Sequence, residues 1–335
     1  MKRIFSLLLA LALSLSLCAC AAPAEKADDG KLQIVTTLFP YYDFARAIAQ
    51  DRADVTLLLS PGREAHSFEP TPLDAVTISE SDVFLYNGGE GEYWVESMLD
   101  AAGEHIAVAS RMMDYVDALD EEYVEGMQGA DGHDHDHEHG SHDDHDHDHE
   151  EDEHDSDEIE YDEHIWTSPK NAVVLCRAVC DAICRADAEN AAFYRANCEN
   201  YCAQLEDLDA RFSALCESAP RRLLIFADRF PMLYFCREYG LDYRAAFHGC
   251  SGDTEPSLAT IKFLIDKVEN ENIPVVYTID FGTKKVAAVV SECTGAAVDT
   301  LYSMQTVSRA DFDAGETYLT LMERNYEALR KGLNE

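Results

Sequence analysis

Basic charge is scarce in this chain: 26 lysines and arginines face 65 aspartates and glutamates over 335 residues, for a formal net charge of −39. Such a surface argues against nucleic acid as a partner, because phosphate binding needs a basic face. Between residues 112 and 169 there is no lysine or arginine at all. Long apolar runs are equally rare. The one near the N-terminus, residues 4–17, falls short of the roughly 20 residues that cross a bilayer. Catalytic signatures are missing too. With no HExxH, no GxSxG and no GxxxxGKS/T, nothing points to an enzyme, a metallohydrolase included. The absence of CxxC leaves a cysteine-based zinc site with little support. From 170 to 217 neither proline nor glycine occurs.

What fills the stretch without basic residues is an alternation of histidine and acid. Residues 131–163 read DGHDHDHEHGSHDDHDHDHEEDEHDSDEIEYDE and hold nine of the thirteen histidines: His133, His135, His137, His139, His142, His145, His147, His149 and His154. A run this acidic repels itself and has almost nothing apolar to bury, so a solvated, disordered loop is expected over about 128–160. Acid alone would make a solubilising linker. Imidazole alternating with carboxylate points instead to handling of a divalent transition metal, because neutral imidazole suits Zn, Cu, Ni and Fe and carboxylates concentrate any dication.

The N-terminus combines Lys2 and Arg3, the apolar run and then small residues, which reads as an export signal over residues 1–19. Leu17-Cys18-Ala19-Cys20 resembles a bacterial lipobox, with Leu at the third position before Cys20 and Ala just before it. Cys20 is therefore the candidate lipidation site, and residues 20–30 a small, polar tether; an ordinary secretory signal is the alternative. The expected location is outside the cytoplasmic membrane, anchored by lipid. About 300 residues remain, enough for one large or two medium domains. Nine further cysteines include Cys176, Cys180 and Cys184, then Cys198 and Cys202, each four residues apart. On a helix these stack on one face, and they read as small buried hydrophobes rather than as a disulfide framework.

Strand and helix patterns alternate along the chain. Strands are expected at 31–39, 54–59, 82–87 and 105–109, with helices at 41–50, 72–79 and 92–102 between them, which argues for a parallel sheet covered on both faces. Ser168-Pro169 is a good helix start, and the run without Pro or Gly implies one helix of nearly fifty residues, about 70 Å long, joining two lobes. The second half repeats the style, with strands at 223–227, 241–247, 274–280 and 297–302, helices at 231–239, 256–270 and 283–294, and a final helix from about 313. The expected organisation is a lobe at 31–167, a linking helix at 168–217 and a lobe at 218–335, with a ligand cleft at the carboxyl ends of the strands.

Candidate metal ligands lie at those ends: His66 in SPGREAHSFEPTP, His164 in YDEHIWTSP, Asp228 in FADRFP, and Asp280 closing PVVYTID. His248 in AAFHGC is a further candidate. AHSFEP, DEHIWTSP, the His-rich insert between them, the lipobox and the lobe–helix–lobe plan together resemble the metal-specific solute-binding lipoproteins of ABC transporters, over essentially the whole mature chain. The resemblance implies two (β/α) lobes, each with a parallel four-stranded sheet, joined by a long rigid helix with a metal site in the interlobe cleft. It implies His66 and His164 as ligands, and delivery of the metal to a membrane permease driven by an ATPase. Zinc members commonly place a third histidine after the first strand of the second lobe, where this chain has Phe226-Ala227-Asp228-Arg229, so Asp228 is the substitute. Two histidines with one or two aspartates suit Zn2+ and also Mn2+; the His-rich loop favours zinc. A manganese, iron or nickel receptor of the same type is the alternative, as is a metal-dependent adhesin. A monomer is expected.

Overall fold

The computed structural model describes residues 30–63, 68–103, 106–129, 160–251 and 255–334. The export signal, Cys20, His66 and the nine histidines from His133 to His154 lie outside the described residues. The first half forms a sheet of β1 (Leu32–Thr36), β2 (Ala53–Leu57), β3 (Val83–Tyr86) and β4 (Val108–Arg111), all parallel in the order β2-β1-β3-β4. Its crossovers contain α1 (Phe39–Ala49), α2 (Pro72–Ser79) and α3 (Trp94–Ala102). Thr71 and Asp74 close a capping box at the start of α2, a device worth about 1 kcal/mol.

The second half repeats this plan. Its sheet runs β6-β5-β7-β8, again all parallel, with β5 (Leu223–Phe230), β6 (Asp242–His248), β7 (Val275–Ile279) and β8 (Ala297–Leu301). All five residues of β7, VVYTI, are buried, as a strand covered on both faces requires. Two features differ from expectation. β5 reaches Phe230, because its register with β6 shifts between Phe226 and Arg229 and so inserts a bulge at Ala227–Asp228. The final helix is split by Gly315, which ends one piece (Arg309–Ala314) in a left-handed conformation before Tyr318–Asn334 begins.

The linking segment is also not one helix. It starts where expected, with Ser168 Oγ accepting from Asn171 N and Pro169 at the first position, but α4 (Pro169–Ala186) and α5 (Ala191–Ser218) pack against each other as a hairpin. No proline or glycine is needed to turn the chain. The Asp187 carboxylate accepts from Asn190 N at 3.2 Å, Asn190 Nδ2 at 2.6 Å and Tyr194 Oη at 2.7 Å, so a side chain supplies the turn instead. The 28-residue α5 then carries the chain to β5.

One apolar core runs through both halves. Tyr41, Phe44, Trp166, Tyr194, Phe212 and Tyr318 are almost fully buried in it. Burying each phenylalanine contributes about 1.5–3 kcal/mol. Polar bonds then fix the register between the lobes: Trp166 Nε1 donates to Ser303 O at 2.7 Å, Tyr318 Oη to Trp166 O at 2.7 Å, and Gly62 N to Val307 O at 2.8 Å. The strap at 119–128 does the same on the other side. Leu119 N donates to Tyr234 Oη at 3.0 Å and Gln128 N to Ala246 O at 3.0 Å, binding a first-half segment along the second lobe.

Candidate metal centre

His164 sits just ahead of the short turn Ile165–Thr167 that leads into α4, and it is buried. The chain there is held from three sides. Asn87, at the end of β3, accepts from Tyr41 Oη and donates to Glu163 O at 2.9 Å. Gly91 N donates to Glu163 Oε1 at 2.8 Å, and Gly89 lies so close to that carboxylate that a Cβ would overlap it. Asp162 Oδ1 accepts from His164 N at 2.8 Å and lies 3.2 Å from Nδ1 of its ring. Burial opposes protonation of His164, but the carboxylates of Asp162, Glu121 and Glu163 outweigh it and hold the pKa above the ordinary value.

His248 ends β6 in the other lobe. Its Nδ1 is 3.0 Å from Glu121 Oε1, which also accepts from Gly249 N at 2.7 Å. The Glu121 side chain is largely covered, and burial alone would raise its pKa. The bond from His248, the nearby His164 and His248 charges and the Gly249 N–H lower it instead. The His164 ring packs on Gly249, where a Cβ would come within 3.1 Å of Nδ1. Gly249 and Glu121 thus stand between the two histidines, one from each half of the chain. Each has a carboxylate at Nδ1, the arrangement that fixes the tautomer of metal-ligating histidines and turns Nε2 toward the ion.

Asp280 and Asp228 flank the end of β7. Ser303 N donates to Asp280 Oδ1 at 3.2 Å, and burial pushes this carboxyl up to about 6 despite that bond. Ser303 is the residue whose carbonyl receives Trp166, and the Trp166 ring lies edge-on to His164 at 5.6 Å, so Asp280 is linked to the histidine through two residues, Ser303 and Trp166. The bulge in β5 turns the Asp228 carboxylate onto Ile279 N at 3.4 Å and against Gly282, where a Cβ would overlap it. Phe68, two residues beyond His66, packs against Trp94 with the rings tilted at 59° and lines a small cavity together with Glu163, the neighbour of His164.

Glu121 and Asp162 escaped the reading of the sequence. Both lie among many acids near the His-rich insert, and only the pairing of 119–121 with 160–162 singles them out. That pairing, an antiparallel bridge between Asp120 and Tyr161 with Glu121 N bonded to Glu160 O at 2.8 Å, closes the two described ends on either side of residues 130–159 directly at the histidine pair.

The family described as zinc-uptake complex component A, periplasmic, matches residues 34–332. The high-affinity zinc uptake system protein ZnuA of Bacillus subtilis is 30% identical over 306 residues, covering 90% of this chain and 88% of that protein. The zinc-binding lipoprotein AdcA of Streptococcus pneumoniae R6 is 31% identical over 92% of this chain, which spans only 57% of AdcA. Among solved structures, the metal-dependent lipoprotein YcdH of B. subtilis superposes with a TM-score of 0.72 at 29% identity, covering 90% of this chain and 100% of that one. The Zn(II)-bound ZnuA-like domain of S. pneumoniae AdcA gives 0.71 at 25%, with 91% and 100% covered. The chain belongs to the family of periplasmic zinc-uptake components, extracytoplasmic solute-binding proteins of transport systems rather than enzymes.

Proposed function

We propose that the chain captures Zn2+ outside the cytoplasmic membrane and passes it to an ABC permease and its ATPase, with a lipid at Cys20 as its anchor. The observation that carries the metal reading is the pair of histidines from opposite lobes, each backed by a carboxylate at Nδ1. His66, His164 and His248 are assigned as imidazole ligands and Asp280 as the carboxylate, a donor set suited to tetrahedral zinc. Asp162 and Glu121 orient the rings, and Asp228 shapes the end of β7. Mn2+, which prefers more oxygen donors, fits this set less well. The loop at 131–158 supplies weak accessory sites.

Release follows from the asymmetry of the support. His248 and Glu121 depend on the strap at 119–128 staying bound to the second lobe, so a local shift of that strap removes a ligand without a swing of the domains. The decisive test is metal content and competitive affinity on residues 21–335, stripped and reloaded with Zn, Mn, Ni and Cu. One tight zinc that survives deletion of 131–158 and disappears in the His66→Ala/His164→Ala double variant is expected. Tight manganese, or tight zinc retained by the double variant, would sink the assignment.

A further inference from the structure

Five cysteines converge in the α4–α5 hairpin, far from any role in the interlobe site. Had 168–217 been one straight helix, Cys176 and Cys198 would stand about 33 Å apart at about 1.5 Å per residue. The turn at Asp187–Asn190 instead brings them together. The Sγ atoms of Cys176, Cys198 and Cys202 all lie within 4.8 Å of one another, and all three residues are buried. Cys198 and Cys202 are 3.9 Å apart at sulfur, Cys180 and Cys184 4.0 Å, and Cys180 also reaches Cys198.

The 3.9 Å between Cys198 and Cys202 fits what a shared ion imposes. With metal–sulfur bonds of about 2.3 Å, neighbouring sulfurs stand about 3.8 Å apart in a tetrahedral shell and about 4.0 Å apart in a trigonal one. A disulfide would need about 2.05 Å, and the described cysteines are free thiols. The protons of the cluster are poorly used, as in the 3.8 Å contact from Cys198 Sγ to Cys176 O.

We propose that Cys176, Cys198 and Cys202 form a three-coordinate thiolate site for a soft d10 metal ion that clamps α4 to α5. Softness follows from an all-sulfur donor set. The site is separate from the interlobe histidines and does not depend on their function. Because the sulfurs are buried, loading accompanies folding.

The test uses residues 21–335 carrying Cys250→Ser and Cys293→Ser, which removes a thiol near the interlobe site and an exposed one. The protein is refolded under reducing conditions with Cd2+ or with Cu+, and thiolate-to-metal charge-transfer absorption is titrated. One equivalent is expected, retained in His164→Ala and weakened at least about tenfold by Cys198→Ser. Cys202→Ala gives the same readout should the serine variant fail to fold. Absence of the band, its full retention in both variants, or an inter-helix disulfide in the freshly exported protein would overturn the proposal.

Discussion

His164 and His248 use the same device with different degrees of support. Behind His164 stands Asp162, two residues away in the chain, in a segment fixed by Asn87 and Gly91, and both side chains are almost fully buried. Behind His248 stands Glu121, 127 residues away, and the His248 side chain is 18% exposed. One half of the pair is built into the framework, and the other is assembled by a strap laid across the lobes. Under the proposed assignment, a receptor that must both hold and release its ion would use that difference: the local dyad keeps its geometry, while the non-local one can be withdrawn.

This comparison can be broken by measurement. His164→Ala should have the largest effect, weakening zinc binding by more than about 100-fold in competition titrations, beyond the usual range for a residue that only orients a ligand. His248→Ala should weaken it less and act chiefly on the release rate, read by stopped-flow transfer to a chelator. Equal effects on affinity with no change in release would erase the distinction. Of the two orienting carboxylates, Asp162→Asn and Glu121→Gln should each cost about 10–100-fold, with Asp162 the costlier.

Acid should loosen the rigid half. His164 must be neutral to bind, and its pKa is raised, so zinc affinity should fall as pH drops through that raised value. Asp162→Asn removes one of the charges that raise it and should move the fall to lower pH. In the metal-free protein the sign reverses: the shift stabilises the fold below the ordinary 6.5 and is lost as pH rises through the folded pKa. The smallest effect on the tight site should come from deleting 131–158, which is expected to lower the number of zinc ions bound per chain while leaving that affinity within about threefold, as unlinked sites do. Equilibrium dialysis at graded zinc decides this.

A buried acid in the first lobe gives an independent check on stability. Burial pushes Glu92 up to about 7 from 4.5. The folded chain therefore keeps a proton that the unfolded chain has lost between those values, so stability should fall as pH rises through that window, by on the order of 3 kcal/mol in all. Glu92→Gln should flatten that part of the profile in urea melts; an unchanged slope would contradict the assignment.

The parallel sheets, their crossover helices and the placement of His164 ahead of a capped helix were legible from period, cap and breaker signals, because these depend on residues a few positions apart. The His-rich composition likewise announced metal handling. The sequence could not disclose the turn at Asp187, since a carboxylate did the work usually marked by glycine or proline, and the single helix expected there became a hairpin. It offered His248 only as a further candidate, and nothing in it singled out Glu121 from so many acids. Local chemistry was enough to determine the elements and the kind of ligand. Which residues from distant parts of the chain meet, at the interlobe pair and in the cysteine hairpin alike, was decided only by tertiary packing, because such contacts have no short-range pattern.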